Sequence, residues 1–416
     1  MSKVSAARGT QDIIPPASTL WQEIEAEAIR IFSAAGFGEL RTPIFESTEL
    51  FARAVGEATD IVNKEMYTFT DRSDRSLTLR PEGTAAIVRA YIEQNLDHGP
   101  KPYKAWYRGP MFRYERPQTG RYRQFHQIGV EAIGSSSIYL DIEIISLGLK
   151  LLSTLGLKDL TLHVNSLANN TSRAAYREAL VKFLSGIKTE VCEDCQRRIV
   201  ENPLRVLDCK VPADQALYTK APLLSDYYDA ESQTIWQELL KLLETLDTKL
   251  VVDPKLVRGL DYYNHLVFEI KSSSPSLGQQ STVLAGGRYD GLVSTLGGPE
   301  SPACGWALGV ERLALLIEEQ RGLHASTQKF YIVSDDGAAA LKLAEELRTE
   351  GLTVEFDYDN AKVGKQIEKA SKRGARYVIF YLADERSSGR FKIKDLESAS
   401  EQVLSSMADL VKVGAR

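Results

Sequence analysis

The run from Phe125 to Gly134 constrains the fold more than any other stretch, because apolar side chains alternate along it with polar or small ones. A period of two is the signature of a β-strand with two different faces. As a strand, it puts Phe125, Gln127, Gly129 and Glu131 on one face and His126, Ile128, Val130 and Ala132 on the other. The second face is mostly apolar and belongs against a core. The first carries a ring, an amide and a carboxylate in register, which suits the wall of a polar small-molecule pocket.

Just before this strand, Pro117-Gln-Thr-Gly120 supplies a turn, so the segment from Met111 to Gln127 reads as a hairpin. The hairpin is rich in arginine: Arg113, Arg116, Arg121 and Arg123 can each grip a phosphate with a planar fork. Tyr114, Tyr122 and Phe125 add faces on which a purine can stack. The formal net charge of the 416-residue chain is -5, so this cluster is a local basic patch in an acidic protein.

Length and composition leave room for two or three domains with sizeable cores; the hydrophobic fraction is 43% and the charged fraction 26%, as in ordinary globular chains. The first residues carry no apolar stretch of signal-peptide length, and no segment is long enough to span a bilayer, so a cytoplasmic protein without membrane association is expected. Four cysteines are too few and too uneven for a disulfide framework. Cys192-Glu-Asp-Cys195 together with Cys209 raises the question of a metal, but neither a further cysteine nor a histidine lies nearby to complete a tetrahedron. The expectation is therefore reduced structural thiols and no metal.

Along the chain, Ser18 or Thr19 can cap a helix that buries Trp21, Ile24, Ala28, Ile31 and Phe32 and closes at Gly36. Arg41 to Glu46 is extended around Pro43 and reads as a strand near an edge. From about Leu160 to Leu250 the pattern turns helix-rich, with amphipathic helices around 172–188 and 232–246. A linker is expected over 321–328. After it comes a compact α/β alternation, with strands at 330–333, 352–356 and 377–381 and a helix near 338–347. No glycine-rich phosphate fingerprint follows its first strand, which weakens a dinucleotide-binding reading. Lys362, Lys365, Lys369, Lys372, Arg373 and Arg376 recur there at helical spacing as a candidate basic stripe.

The segment from Phe112 to Gln127 resembles motif 2 of the histidyl-tRNA synthetases, which are class II aminoacyl-tRNA synthetases. The resemblance extends to RGTQD at 8–12, TPIFE at 42–46, LRPEGT at 79–84, RGLDYY at 258–263, AGGRYDGL at 285–292 and GVERL at 309–313. The RGLDYY and AGGRYD blocks resemble the histidine-specific signatures. Leu266 and Trp306 stand where many relatives have threonine and phenylalanine, and neither change removes a proposed chemical group.

This resemblance implies a mixed α/β fold: a class II catalytic domain over 1–325, with an antiparallel sheet and a helical insertion at about 165–245, then an α/β anticodon-binding domain over 328–416. It implies ATP, Mg2+, L-histidine and the tRNA for histidine as ligands, and a homodimer built on the TPIFE segment. Arg113, Arg258 and Arg312 become the catalytic cations, with Arg258 supplying charge across the α-phosphate from Arg113. Arg113, Glu115, Arg121, Phe125 and Arg312 would bind ATP. Glu82, Gly83, Thr84, Gln127, Glu131, Tyr262 and Tyr263 would surround histidine with Arg113 and Arg258, Glu131 and Tyr263 serving the two imidazole nitrogens. Arg116, Gln118, Arg123, Lys362, Lys365 and Lys369 are the candidate tRNA contacts. The alternative is a non-catalytic paralogue that binds histidine as the regulatory subunit of ATP phosphoribosyltransferase. Such paralogues typically lack the C-terminal domain and have eroded motifs.

Overall fold

The structure is a computed structural model and describes residues 4–57, 59–209, 211–277, 281–323 and 329–414. It divides into two compact units, Met1–Leu323 and His324–Arg416. Residues 324–328 of the expected linker lie outside the described residues.

The strands of the first unit are β1 (Gly38–Glu39), β2 (Phe45–Ser47), β3 (Tyr67–Thr70), β4 (Ser76–Leu79), β5 (Tyr103–Phe112), β6 (Gln124–Ile133), β7 (Leu160–Ser166), β8 (Lys249–Val252), β9 (Asn264–Ser272), β10 (Thr282–Arg288) and β11 (Ala303–Gly309). Eight of them form one sheet in the order β1-β5-β6-β11-β10-β9-β7-β8. It is antiparallel except at its edges, where β1 and β8 run parallel to their neighbours. The expected hairpin is β5–β6, in register from Tyr103 opposite Ile133 to Phe112 opposite Gln124.

Alternation on β6 sorts the faces as anticipated. Ile128, Val130 and Ala132 are buried with Trp306 and Phe268 against the helices Ala17–Ala34, Ile138–Thr154 and Val310–Arg321. Burying each large aliphatic side chain contributes about 1.5–3 kcal/mol. The other face carries the site. The first helix differs at its start: it begins at Ala17 with Pro16 in the cap position and no side-chain cap, so Ser18 and Thr19 lie inside the first turn. Its end is as read, with Gly36 at φ +80°. The extended TPIFE segment yields only a short strand, β2, at the edge of a separate sheet ordered β2-β4-β3.

The helix-rich stretch also needs correcting at both ends, because β7 and β8 are strands of the large sheet. Between them, helices Asn170–Ser185 and Ala230–Leu243 are capped by Asn169 and Asp229, which accept from the backbone of Ser172 and Ser232. The Asn169 amide donates to Asp229 at 2.6 Å, tying the two caps together. Leu239 and Leu243 join the main core, so the second of these helices packs as part of the large-sheet body.

The second unit is a sheet ordered β13-β12-β14-β15-β16, from β12 (Lys329–Val333), β13 (Thr353–Phe356), β14 (Tyr377–Phe380), β15 (Phe391–Asp395) and β16 (Glu401–Leu404). The first three are parallel and the last two antiparallel. Phe330 and Ile332 face the helix Gly337–Thr349, whereas Tyr331 and Val333 face the helix Val363–Lys372. Burial on both sides explains why β12 runs apolar from Phe330 to Val333 rather than alternating. Sequence reading missed β15, which alternates Phe391 and Ile393 with Lys392 and Lys394 over only five residues, and β16, which is largely exposed.

Candidate active site

A cavity of about 610 Å³ opens on the site face of the large sheet. Its walls include Arg113, Glu115, Arg121, Phe125, Gln127, Arg258 and Arg312, contributed by β6 and by segments flanking β5, β9 and β11. Arg113 follows the last residue of β5; its Nε donates to the Pro81 carbonyl at 2.9 Å, and the guanidinium lies 5.4 Å from the centre of the Phe125 ring. Arg121 Nε lies 2.6 Å from a carboxylate oxygen of Glu115. Arg312, in the first turn of the helix after β11, donates to the carbonyls of Gly120 at 3.2 Å and Thr282 at 3.0 Å. Burial, followed by the charge of Arg121, lowers its pKa. An anion entering this cavity would therefore relieve an existing crowding of positive charge.

Arg258 donates through Nη1 to Glu269 Oε1. Burial pushes the Glu269 carboxyl up, but the charges of Arg258 and Lys271 outweigh it and hold the pKa below the usual value. Glu269 also accepts from the Thr282 hydroxyl at 2.9 Å. Sequence reading overlooked Glu269, Lys271 and Thr282. A signal existed for the first two: Phe268 and Ile270 are core residues of β9, so Glu269 and Lys271 fall on its opposite face.

Behind the cavity lies a sealed polar cluster, and most of the expected histidine ligands are in it. Glu131 is 1% exposed; it accepts from the Thr84 hydroxyl at 2.7 Å and from the Tyr289 hydroxyl. Burial raises its pKa to about 8, against the opposing effect of these donors, so it is predominantly a neutral acid at pH 7. Glu82 accepts from the backbone N–H groups of Thr84 and Ala85 at 2.7 and 2.8 Å, capping the helix Thr84–Glu93. Burial raises its pKa too, and the two backbone donors oppose that rise. Tyr262 and Tyr263 lie side by side with ring centres 4.6 Å apart, and Tyr262 meets Tyr289 edge-on at 5.6 Å.

Glu82, Gly83, Thr84, Glu131, Tyr262 and Tyr263 do not line the open cavity; only Arg113, Gln127 and Arg258 of the expected histidine set do. Tyr262 instead borders a second cavity beside Asp261 and His265. Gly83 also has a different local role from the one expected. A Cβ there would lie 2.2 Å from a ring carbon of Tyr107, so the glycine admits that buried ring. A Cβ at Gly305 would fall 1.8 Å from Glu131 Oε2. Tyr107 and Tyr289 were not singled out from the sequence, although Tyr289 sits within the AGGRYD block. Gln127 Oε1 is buried without a hydrogen-bond partner among the described residues, an acceptor available to a ligand.

The hairpin connection separates its candidates. Arg116 and Gln118 are exposed at the turn, which Gln118 and Arg121 close through their backbones. Arg123 departs from the expectation. Its guanidinium stacks 3.8 Å from the Tyr114 ring centre, its stem packs at Gly9, and its backbone N–H donates to the Gly9 carbonyl. It clamps the RGTQD segment. In the second unit, Lys362 and Lys365 are exposed at the start of their helix, whereas Lys369 is paired with Asp357 and Asp359. Arg373 and Arg376 pair with Glu355 and with Asp395 and Glu397, so half of the candidate stripe is charge-compensated.

The model of the histidyl-tRNA synthetase family matches residues 9–313, and that of an anticodon binding domain matches 327–414. The chain is 49% identical to the histidine–tRNA ligase of Synechococcus elongatus over 97% of its own length and 93% of that protein's. It is 48% identical to the enzyme of the same name from Thermosynechococcus vestitus, over 98% and 95% of the two chains. Among solved structures, apo histidyl-tRNA synthetase of S. aureus superposes over the whole of both chains with a TM-score of 0.81 at 37% identity. With the family model spanning the cavity, the sealed cluster and all the signature blocks save Arg8 of the first, this chain belongs to the histidyl-tRNA synthetase family.

Proposed function

We propose that this protein joins L-histidine to its cognate tRNA in two steps. The histidine carboxylate attacks the α-phosphate of ATP, forming histidyl-adenylate and releasing pyrophosphate. A ribose hydroxyl of the tRNA end then attacks the activated carbonyl, and AMP leaves. Neither step needs a covalent nucleophile from the protein; positioning and positive charge suffice. The observation that carries this reading is the convergence of Arg113, Arg258 and Arg312 on one cavity beside a buried carboxylate supported by hydroxyl donors.

In this reading Phe125 and Arg312 sandwich the adenine, Glu115 takes its amino group, and Arg113 and Arg121 hold phosphate. Arg113 and Arg258 flank the α-phosphate, where the developing charge draws Arg258 away from Glu269. Gln127 and Glu82 receive the substrate ammonium, Thr84 and Tyr262 line the pocket, and Glu131 and Tyr263 read the imidazole. A side chain unable to pair with these buried groups leaves them unsatisfied, costing about 1–3 kcal/mol for each group. The paired carboxylates of the cavity leave little for a resident metal: Glu269 is engaged by Arg258 and Lys271, Glu115 by Arg121, and Glu311 by His126. Mg2+ therefore belongs with the triphosphate as part of the substrate.

The domain roles follow: 1–325 catalytic, with the insertion near 165–245, and 328–416 for the anticodon. Exposed Arg116 and Gln118 reach the acceptor end of the tRNA, and Lys362 and Lys365 its anticodon arm. Ile44 and Phe45 are 44% and 54% exposed at the β2 edge, apolar surface that suits a homodimer interface. Among the described residues, no helix is long and apolar enough to cross a membrane, which fits cytoplasmic work.

The test is histidine-dependent exchange of pyrophosphate into ATP with magnesium, in the parent, Arg258→Ala and Glu131→Ala. Exchange that requires histidine and collapses in both variants is expected. Histidine binding without exchange in the parent would overturn the reading in favour of the regulatory paralogue.

A further inference from the structure

The three thiols that lack a fourth ligand in the linear sequence find one in the fold. Cys192 stands at the N-cap of the helix Glu193–Glu201, with Cys195 in its first turn; Cys209 follows the 3-10 turn Pro203–Asp208; Asp214 lies on the helix Pro212–Leu217. The three sulfurs and a carboxylate oxygen of Asp214 all lie within 4.8 Å of one another. Cys192 Sγ and Cys209 Sγ are 3.9 Å apart, and Cys209 Sγ is 3.4 Å from Asp214 Oδ2. A tetrahedron with metal–sulfur bonds of about 2.3 Å and a metal–oxygen bond of about 2.0 Å has edges of roughly 3.8 and 3.5 Å.

We propose that Cys192, Cys195, Cys209 and Asp214 form a tetrahedral site for one zinc-class divalent ion. Three soft sulfur ligands select zinc over magnesium or calcium. Each thiol binds as thiolate and gives its proton to solvent, so three thiolates and a carboxylate around a dication leave a net charge of -2. Donors are in place to stabilise that charge. The Val211 N–H points at Cys209 Sγ at 3.4 Å, and the Cys192 N–H donates to Asp214 Oδ2 at 3.1 Å. The buried Tyr218 hydroxyl lies against the Cys195 thiol. A thiolate at Cys195 would supply its acceptor.

The site has a structural reason to exist. The chain between Ser185 and Ala230 folds into short helices and 3-10 turns, elements that gain little from their own hydrogen bonding. A metal would staple three of them together. It would also brace the active-site wall, because Leu207 and Gln215 line the cavity with Arg258, Gln215 donates to the Cys209 carbonyl at 2.9 Å, and Asn202 donates to Asp261 of the RGLDYY block at 2.9 Å.

The experiment uses full-length protein purified in reducing buffer without chelator, desalted exhaustively and assayed for metals by plasma mass spectrometry. About one zinc per chain is expected. Cys195→Ser and Cys209→Ser should lose it, Asp214→His should retain it, and Asp194→Asn, which removes an exposed carboxylate inside the Cys-x-x-Cys, should leave it unchanged. Should the serine variants fail to fold, the parent still decides the matter: stripped with a chelator and titrated with Co2+, it should develop the visible bands of tetrahedral cobalt and a thiolate charge-transfer band, saturating at one equivalent. Parent protein that holds no zinc and gives no such spectrum overturns the proposal. So does metal retained by folded Cys195→Ser and Cys209→Ser. Neither readout depends on the activity assigned above.

Discussion

The open cavity and the sealed cluster behind it stand on the same face of one sheet, yet they treat charge in opposite ways. In the cavity, Arg113, Arg121, Arg258 and Arg312 stand close together beside carboxylates or carbonyls. In the cluster, Glu131 gives up its charge, because two hydroxyl donors do not replace the hydration lost at 1% exposure. The comparison teaches that the same carboxylate chemistry serves two ends. At the cavity wall, with cations at hand, Glu269 stays ionised and pairs with Arg258; deep in the sheet, Glu131 becomes an acid whose hydrogen bonds fix shape.

Arg258→Ala tests the cavity half of this contrast most severely. In the proposed mechanism it removes the charge that faces the departing pyrophosphate, so kcat for exchange should fall by about 10²–10³-fold, well beyond any change in the KM for ATP. Arg258→Lys, with a point charge and no fork, should recover part of that loss. Equal kcat in parent and Arg258→Ala would dissolve the distinction between catalytic and merely lining cations.

The cluster half is probed by Gly83→Ala, which drives a methyl into Tyr107 and should destabilise the fold by about 1–3 kcal/mol in chemical denaturation. An unchanged midpoint would mean that Tyr107 is not held as described. Glu131→Gln tests its protonation. A carboxyl with a raised folded pKa contributes stability that is complete below about 4.5 and is lost as the pH rises to about 8. Relative to the parent, the Gln variant should therefore gain melting temperature from pH 6 to pH 9. A constant difference across that range would place an ionised carboxylate in the cluster.

Smaller effects should separate the surface candidates. Arg116→Ala and Gln118→Ala should raise the KM for tRNA several-fold without altering pyrophosphate exchange, and the arginine variant should show a shallower salt dependence. Lys365→Ala should weaken tRNA binding more than Lys369→Ala, because Lys369 already spends its charge on Asp357 and Asp359. Equal losses would show that the internal pairs yield to RNA.

Legibility followed the range of the interaction. The two faces of β6 and the helix ending at Gly36 could be read because each rests on periodicity within a few residues, and three strands of the second unit because short apolar runs mark them. The cations of the cavity could be read because they fall within signature blocks. The role of Gly83 could not, since it depends on a ring 24 positions away in the chain at Tyr107. Nor could the diversion of Arg123 toward Gly9, or of Lys369 toward Asp357: a cation's partner is chosen by which carboxylate or ring the fold brings alongside it. β15 and β16 escaped notice because both are short and β16, at the sheet edge, is too exposed to show a buried face.

The sequence by itself determined which family this chain belongs to, which hairpin carries the arginines and which face of β6 turns toward a pocket, because local pattern and ordered motifs are written along the chain. Only the tertiary structure decided that Glu131 is sealed between Thr84 and Tyr289, that Glu269 holds Arg258, and that Asp214 joins three cysteines. Each of those facts depends on desolvation and on distances between groups far apart in sequence, and both quantities exist only once the sheet has closed over its core.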